Sequence, residues 1–238
     1  MAALFKNMFP NQNYKTKVVK KSKGGNRRRK RIQQGTRRFD LTQKLRSRVG
    51  HSHDGEVDLR EAVKKPEDEV LEEWLAANAM EAFNNVVVVW ENFVADVCEC
   101  PEMQAGPLHS YRWQENKKSK SVSLPAKEYI EKLLDWTAVQ FSDDSIFPNE
   151  TEVAPVFGKK FDLALRNILR KLFRVYGHVC CHHWERVKEL QVEAELLLSF
   201  KHYYFFVRAF NLVSMTELEP LLGLIARFDP PSASSSTH

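Results

Sequence analysis

The stretch FNNVVVVWENFVADV, Phe83 to Val97, decides the fold. Phe83, Val86, Val87, Trp90, Phe93, Val94 and Val97 recur at offsets of three, four, seven, ten, eleven and fourteen residues. That is one apolar face of a 3.6-residue helix, not the alternation of a half-buried strand. The four consecutive valines favour strand locally, but the longer periodicity outweighs a local propensity. The segment is therefore predicted as a helix buried along one side.

Helical patterning continues on both sides. Pro66, followed by Glu67, Asp68 and Glu69, predicts a helix start, because acids suit the positive end of the helix dipole. Further helices are predicted from Pro125 through Thr137, from Phe161 to Tyr176, and from Trp184 to Val213 with a break near Ser199. The run SMTE, Ser214 to Glu217, has the form of a capping box before a last helix reaching Arg227. Tyr111 and Trp113 alternate with Arg112, which suggests a short β-hairpin near 109–124. No internal repeat is present. Six or seven helices of this length predict an all-α bundle.

Composition narrows the class. No window is apolar enough for a membrane span, and Lys6 interrupts any signal-peptide core. Four cysteines in two close pairs are too few for a disulfide scaffold, so the cytosol or nucleus is expected. The net charge is +5, yet residues 1–50 hold sixteen Lys and Arg against one acid, Asp40. The tail is basic and the body acidic. Residues 1–35 are expected to be disordered, and residues 229–238 frayed. Residues 36–228 would form the folded body, with Phe39, Leu41 and Leu45 marking where the chain docks onto it. GGNRRRKR, Gly24 to Arg31, suits nuclear import, nucleic acid or a solvated tail.

Three constellations carry chemistry. RKLFRVYGHVCCHH, Arg170 to His183, gathers metal-capable side chains, and the other cysteines, Cys98 and Cys100, lie upstream. Thiolate and imidazole are preferred zinc ligands, and a closed structural site needs four. His178 and His182 share a helical face, whereas His178 and His183 converge only if the helix ends or bends between them. Burial of the cysteines as small apolar groups weighs equally with zinc on spacing alone. Arg170, Lys171 and Arg174, one turn apart, suit a phosphate, with Arg166 extending the row; a solvated basic face is the commoner meaning. Glu69, Glu73, Ala77 and Glu81 recur every fourth residue beside Trp74, an acidic ridge suited to an Arg- and Lys-rich partner. The alternative is a solvated face with Trp74 turned inward. No nucleophile, hydrolase or nucleotide-loop motif is present, so catalysis is not expected.

Several motifs together resemble the Mob (Mob/phocein-type) family of kinase coactivators. They are GTRRFDL, DLREAV, EEWLAAN, CPEMQAGP, YRW, DW, IFP, KLFRVYGHV, SFKHYYFFVRAFNL and TELEPL, in order from about Gly35 to Phe228. The resemblance implies an α-helical globule around a four-helix bundle. It implies a non-catalytic adaptor that binds the N-terminal regulatory region of an NDR/LATS-type AGC kinase through Glu69, Glu73, Trp74 and Glu81. It implies a phosphopeptide pocket at Arg170, Lys171 and Arg174 for an upstream kinase or scaffold. It also implies a structural zinc with His178 and His183, in place of His182, and Cys100. The family's first cysteine falls at Ala95 here, and Cys98 is the nearest substitute, with Cys180 and Cys181 as other thiols in reach. Ala77 stands where the family often has a larger apolar residue. The kinase reading requires the glutamates to face an open groove. The rival readings are a nucleic-acid-binding protein led by residues 15–31 and a zinc hydrolase.

Overall fold

The computed structural model describes residues 32–50, 58–114, 118–148 and 156–230. Among these, the regular elements are helical. They are α1 (Arg37–Gly50), α2 (Leu59–Ala62), α3 (Leu71–Val89), α4 (Ala126–Phe141), α5 (Lys160–His182), α6 (Trp184–Glu189), α7 (Glu193–Ala209), a 3-10 turn (Glu219–Leu221) and α8 (Leu222–Ile225). The all-α expectation holds. The hairpin near 109–124 is reduced to isolated antiparallel bridges, Gln104 with Ser110 and Trp113 with Val122. Trp113 and Val122 exchange two N–H···O bonds of 2.8 Å, too few to count as a ladder.

The long helices α3, α4, α5 and α7 enclose the main core, with α3 almost wholly buried. Phe83, Val86, Val87, Trp90, Phe93 and Val94 lie inside as predicted, and Val97 does not. The reason is local. Trp90–Val94 winds as a π-turn, in which the Ala95 N–H donates to the Trp90 carbonyl five residues back. A wide turn takes up an extra residue and rotates the next stretch of chain. The chain then leaves the helix, and Val97 faces outward while Cys98 faces inward.

Three helix boundaries differ from the pattern. α3 begins at Leu71, not Pro66, because the Lys65 ammonium donates to the carbonyls of Pro66, Glu67 and Glu69 and holds that segment as a turn. α5 passes straight through Gly177 to His182. The Trp184–Val213 segment breaks at Leu190–Val192, not at Ser199, where Gln191 takes a left-handed φ of 56°. Ser199 stays helical and its hydroxyl meets the Tyr176 phenol at 2.6 Å. The SMTE run keeps only half of the box, the Glu217 N–H donating to Ser214 Oγ while the Glu217 carboxylate lies by Arg170, and as a turn it leads into the 3-10 turn and the short α8.

Helix α1 has its own small core. Leu41, Leu45 and Val49 pack with Leu59, Ala62, Trp74 and Ala77. Leu41 and Leu45 are thus docking residues, as expected, whereas Phe39 is only half-buried. The basic run 15–31 and residues 231–238 lie outside the described residues. Asp229, by contrast, is held by the Arg60 guanidinium and the Tyr204 hydroxyl.

Candidate functional site

The first site joins the turn after α3 to the end of α5. Cys98, Cys100, His178 and His183 each present one ligand atom, and the four lie within 4.8 Å of one another. Cys98 Sγ is 3.6 Å from His178 Nε2, Cys100 Sγ is 3.6 Å from His183 Nε2, and the two Nε2 atoms are 3.2 Å apart. A tetrahedral zinc with ordinary Zn–S and Zn–N lengths sets S···N edges of about 3.5 Å and N···N edges of about 3.3 Å. The observed edges match, so the residues fit such an ion, and the cluster could hold a metal.

Each ligand has a local reason for its place. The π-turn delivers Cys98. α5 ends at His182, and His183 leaves helical geometry with φ −127°, which lets residues five apart converge. His178 Nδ1 lies 2.8 Å from the Gln104 carbonyl. That carbonyl can only accept, so Nδ1 carries the proton and Nε2 keeps its lone pair for the cluster. Burial pushes the His178 imidazole down to about 4 and the Cys98 thiol up to about 11. A bound divalent cation would reverse the second effect by favouring thiolate. His182 points elsewhere, accepting from the Gly106 N–H at 3.2 Å. Cys180 and Cys181 are absent from the cluster.

The second site lies on α5 as well, nearer its N-terminus than the histidines. Arg174 donates to the Tyr129 hydroxyl and stacks over Tyr111, with its guanidinium carbon 4.7 Å from the ring centroid. Lys171 sits between two indoles, 4.7 Å from Trp113 and 5.1 Å from Trp136. Burial first, then the Arg174 and Arg170 charges, lower its ammonium to about 8. Arg170 is exposed and meets Asn167 Oδ1 at 3.0 Å and Glu217 at 3.5 Å. Arg174 Nε is buried with no partner among the described residues. Arg166 is committed to Asp162 and the Asn211 carbonyl and does not extend the row. The sequence pattern found the three cations. It did not find Tyr111, Tyr129, Trp113 or Trp136, since aromatics distant in sequence carry no charge signal, nor Glu217, which approaches Arg170 from a separate turn of the chain.

The third site departs most from expectation. The acidic residues do not form an open ridge. Glu73, Trp74 and Glu81 are buried, and the Glu69 side chain is only 8% exposed. The chain's own basic helix α1 covers them. Arg38 binds Glu73 twice at 2.9 Å, Arg46 binds Glu81 at 2.9 and 3.1 Å, and Glu69 takes Arg37 and Lys44 together. The two cations hold the Glu69 carboxyl below its ordinary range, Lys44 most of all, against a smaller effect of burial. Trp74 is turned inward, its Nε1–H donating to the Val63 carbonyl at 2.9 Å. Sequence periodicity missed this because the pairing of two helices distant along the chain leaves no local mark. The surplus of Arg and Lys before residue 50 was its one visible signal.

Comparison with known proteins agrees with these landmarks. The Mob1/phocein family model matches residues 51–221. MOB kinase activator 3A of Mus musculus is 37% identical over 205 residues, covering 84% of this chain and 91% of that protein. MOB kinase activator-like 1 homolog C of Dictyostelium discoideum is 36% identical over 206 residues, with 84% and 91% covered. MOB kinase activator 3C of Bos taurus is 35% identical over 204 residues, with 84% and 92% covered. No described helix is long and apolar enough to cross a membrane. Motif order, helical architecture and similarity along most of its length agree: the chain belongs to the Mob1/phocein family.

Proposed function

We propose that the protein is a non-catalytic coactivator of an NDR/LATS-type AGC kinase; the open-groove form of that reading fails, because α1 covers Glu69, Glu73, Trp74 and Glu81, and the kinase's basic N-terminal regulatory helices would reach that face only in exchange for α1. The observation that carries this is the seating of α1. An Arg- and Lys-rich helix with Leu41 and Leu45 as apolar anchors already lies on that face. The face is thus complementary to a basic amphipathic helix in both charge and shape. A kinase helix of the same character would bind in exchange for α1. Relatives named as kinase activators support the same class of function.

Cys98, Cys100, His178 and His183 would hold a structural zinc that ties the end of α3 to the end of α5. Four protein ligands leave no open position, so the ion would supply stability and no hydrolytic chemistry. Arg170, Lys171 and Arg174 would take the phosphate of a phosphothreonine or phosphoserine segment from an upstream kinase or scaffold. The protein would work in the cytoplasm and nucleus.

Titration with the N-terminal basic fragment of an NDR/LATS-type kinase tests the reading. Glu69 is the most reachable of the four residues, and Glu69→Lys, made in a Leu41→Asp/Leu45→Asp background so that loss of its own pairs with Arg37 and Lys44 does not offset the effect, should weaken binding about ten-fold or more relative to that background, the scale of a lost charge pair at an interface. Equal affinity for both proteins contradicts the assignment.

A further inference from the structure

The cation cluster on α5 already contains an anion. Glu217, in the turn after α7, places a carboxylate oxygen 3.5 Å from Arg170 Nη1. Its charge also reaches Tyr111 and Tyr129, the two phenols that touch Arg174. Glu217 therefore meets the cluster at Arg170, the most exposed of its three cations. We propose that Glu217 is a built-in competitor in this pocket, whose carboxylate must be displaced or repelled when a phosphate dianion binds at Arg170 and Arg174. This competitor role rests on the phosphopeptide reading of the pocket and makes Glu217 the residue that sets the strength of that site.

The contact geometry suits a plug that yields. At 3.5 Å the Arg170–Glu217 approach is longer than the 2.7–2.9 Å of a charge-assisted bond, and it is not bidentate. Both side chains are partly exposed, at 45% and 32%. Exposed pairs of this kind contribute little to folding. The backbone of Glu217 is fixed independently, through its N–H to Ser214 Oγ and the helical turn that comes after it. The carboxylate can swing without disturbing that turn.

Charge counting gives the expected sign. Arg170, Lys171 and Arg174 bring three positive charges, and Glu217 reduces the pocket to two, which a phosphate dianion balances. Neutralising Glu217 leaves a stronger field for the same ligand. Removing a pocket residue normally weakens binding, so a gain on removal separates competition from support.

The test uses the full chain and a capped Ala-Ala-phosphothreonine-Ala-Ala peptide, with its unphosphorylated form and inorganic phosphate as comparisons. Glu217→Gln should bind the phosphopeptide about five- to fifty-fold more tightly than the wild type, on the scale of one screened unit charge at this distance. Inorganic phosphate should show the same gain. Arg174→Gln should bind more weakly than wild type. Glu217→Ala serves as a second variant if Glu217→Gln lowers the melting temperature. Wild-type binding that depends on Arg174, with no gain in either Glu217 variant, overturns the competitor role and leaves the pocket standing. If neither the wild type nor the Glu217 variants prefer the phosphorylated peptide, or if Arg174→Gln binds as well as wild type, both the pocket and the competitor are overturned.

Discussion

Arg38 and Glu73 face each other through two parallel hydrogen bonds of 2.9 Å, with both side chains buried between α1 and α3. Arg38 also donates to the Pro148 carbonyl at 3.0 Å, so a single guanidinium ties three parts of the chain. Removing one partner leaves an uncompensated buried charge, which typically costs about 3–5 kcal/mol. Arg38→Met and Glu73→Leu should each lower stability on that scale in denaturant melts, whereas the double substitution should recover most of the loss. A double variant as unstable as the sum of the singles would contradict the pairing.

Gly177 is held by space, not by backbone conformation. A Cβ added there would stand 2.9 Å from the Ala105 Cβ. α5 and the 103–106 loop approach this closely so that the Gln104 carbonyl can reach His178. Gly177→Ala should destabilise the protein by about 1–3 kcal/mol, the usual range for overpacking. Ala105→Gly in the same chain should restore most of that. Thermal melts of the two variants decide it.

Only two of the four thiols should matter for metal binding. Elemental analysis of the purified protein should find zinc in the wild type and in Cys180→Ser and Cys181→Ser. Cys98→Ser or Cys100→Ser should lose it. Chelation should lower the melting temperature sharply, because structural zinc sites contribute roughly 10 kcal/mol or more to folding. Retention of zinc by Cys98→Ser would show that another residue completes the site.

Lys171 gives the proposed phosphate pocket a pH dependence. Its ammonium is lowered from 10.5 to about 8. Below that value it is charged, so affinity for a phosphopeptide should fall as pH rises from about 7 to about 9, and Lys171→Met should flatten the profile. The folding contribution runs the other way. The folded state gives up the Lys171 proton before the unfolded state does, so this residue's effect on stability rises with pH between about 8 and 10.5.

Particular residues show how much could be read without coordinates. Phe83 to Val94 announced their helix because one face is apolar over three turns, a signal that burial alone preserves. The zinc-type ligands were visible as residue types, and their partnership was not. His178 and His183 converge because α5 stops between them, and Cys98 arrives through a π-turn that no spacing rule encodes. The acidic residues were read as an open ridge along one helix, and they are neither open nor all on that helix. Glu69 lies before α3 begins, and Glu73 and Glu81 are covered by a helix some thirty-five residues upstream. Such long-range cover is decided by which surplus cations find which buried carboxylates, and that is a property of the folded whole.

On the proposed reading, the face under α1 accepts a basic helix from a kinase. Leu41→Asp with Leu45→Asp removes the apolar anchors of α1 and should unseat it while leaving the main core intact. Calorimetric titration of this variant with the N-terminal basic fragment of an NDR/LATS-type kinase is the direct measurement. Binding should be tighter than wild type, about ten-fold or more, since the competing helix has been withdrawn. Binding that is unchanged or lost in a variant that keeps its helical content would contradict it.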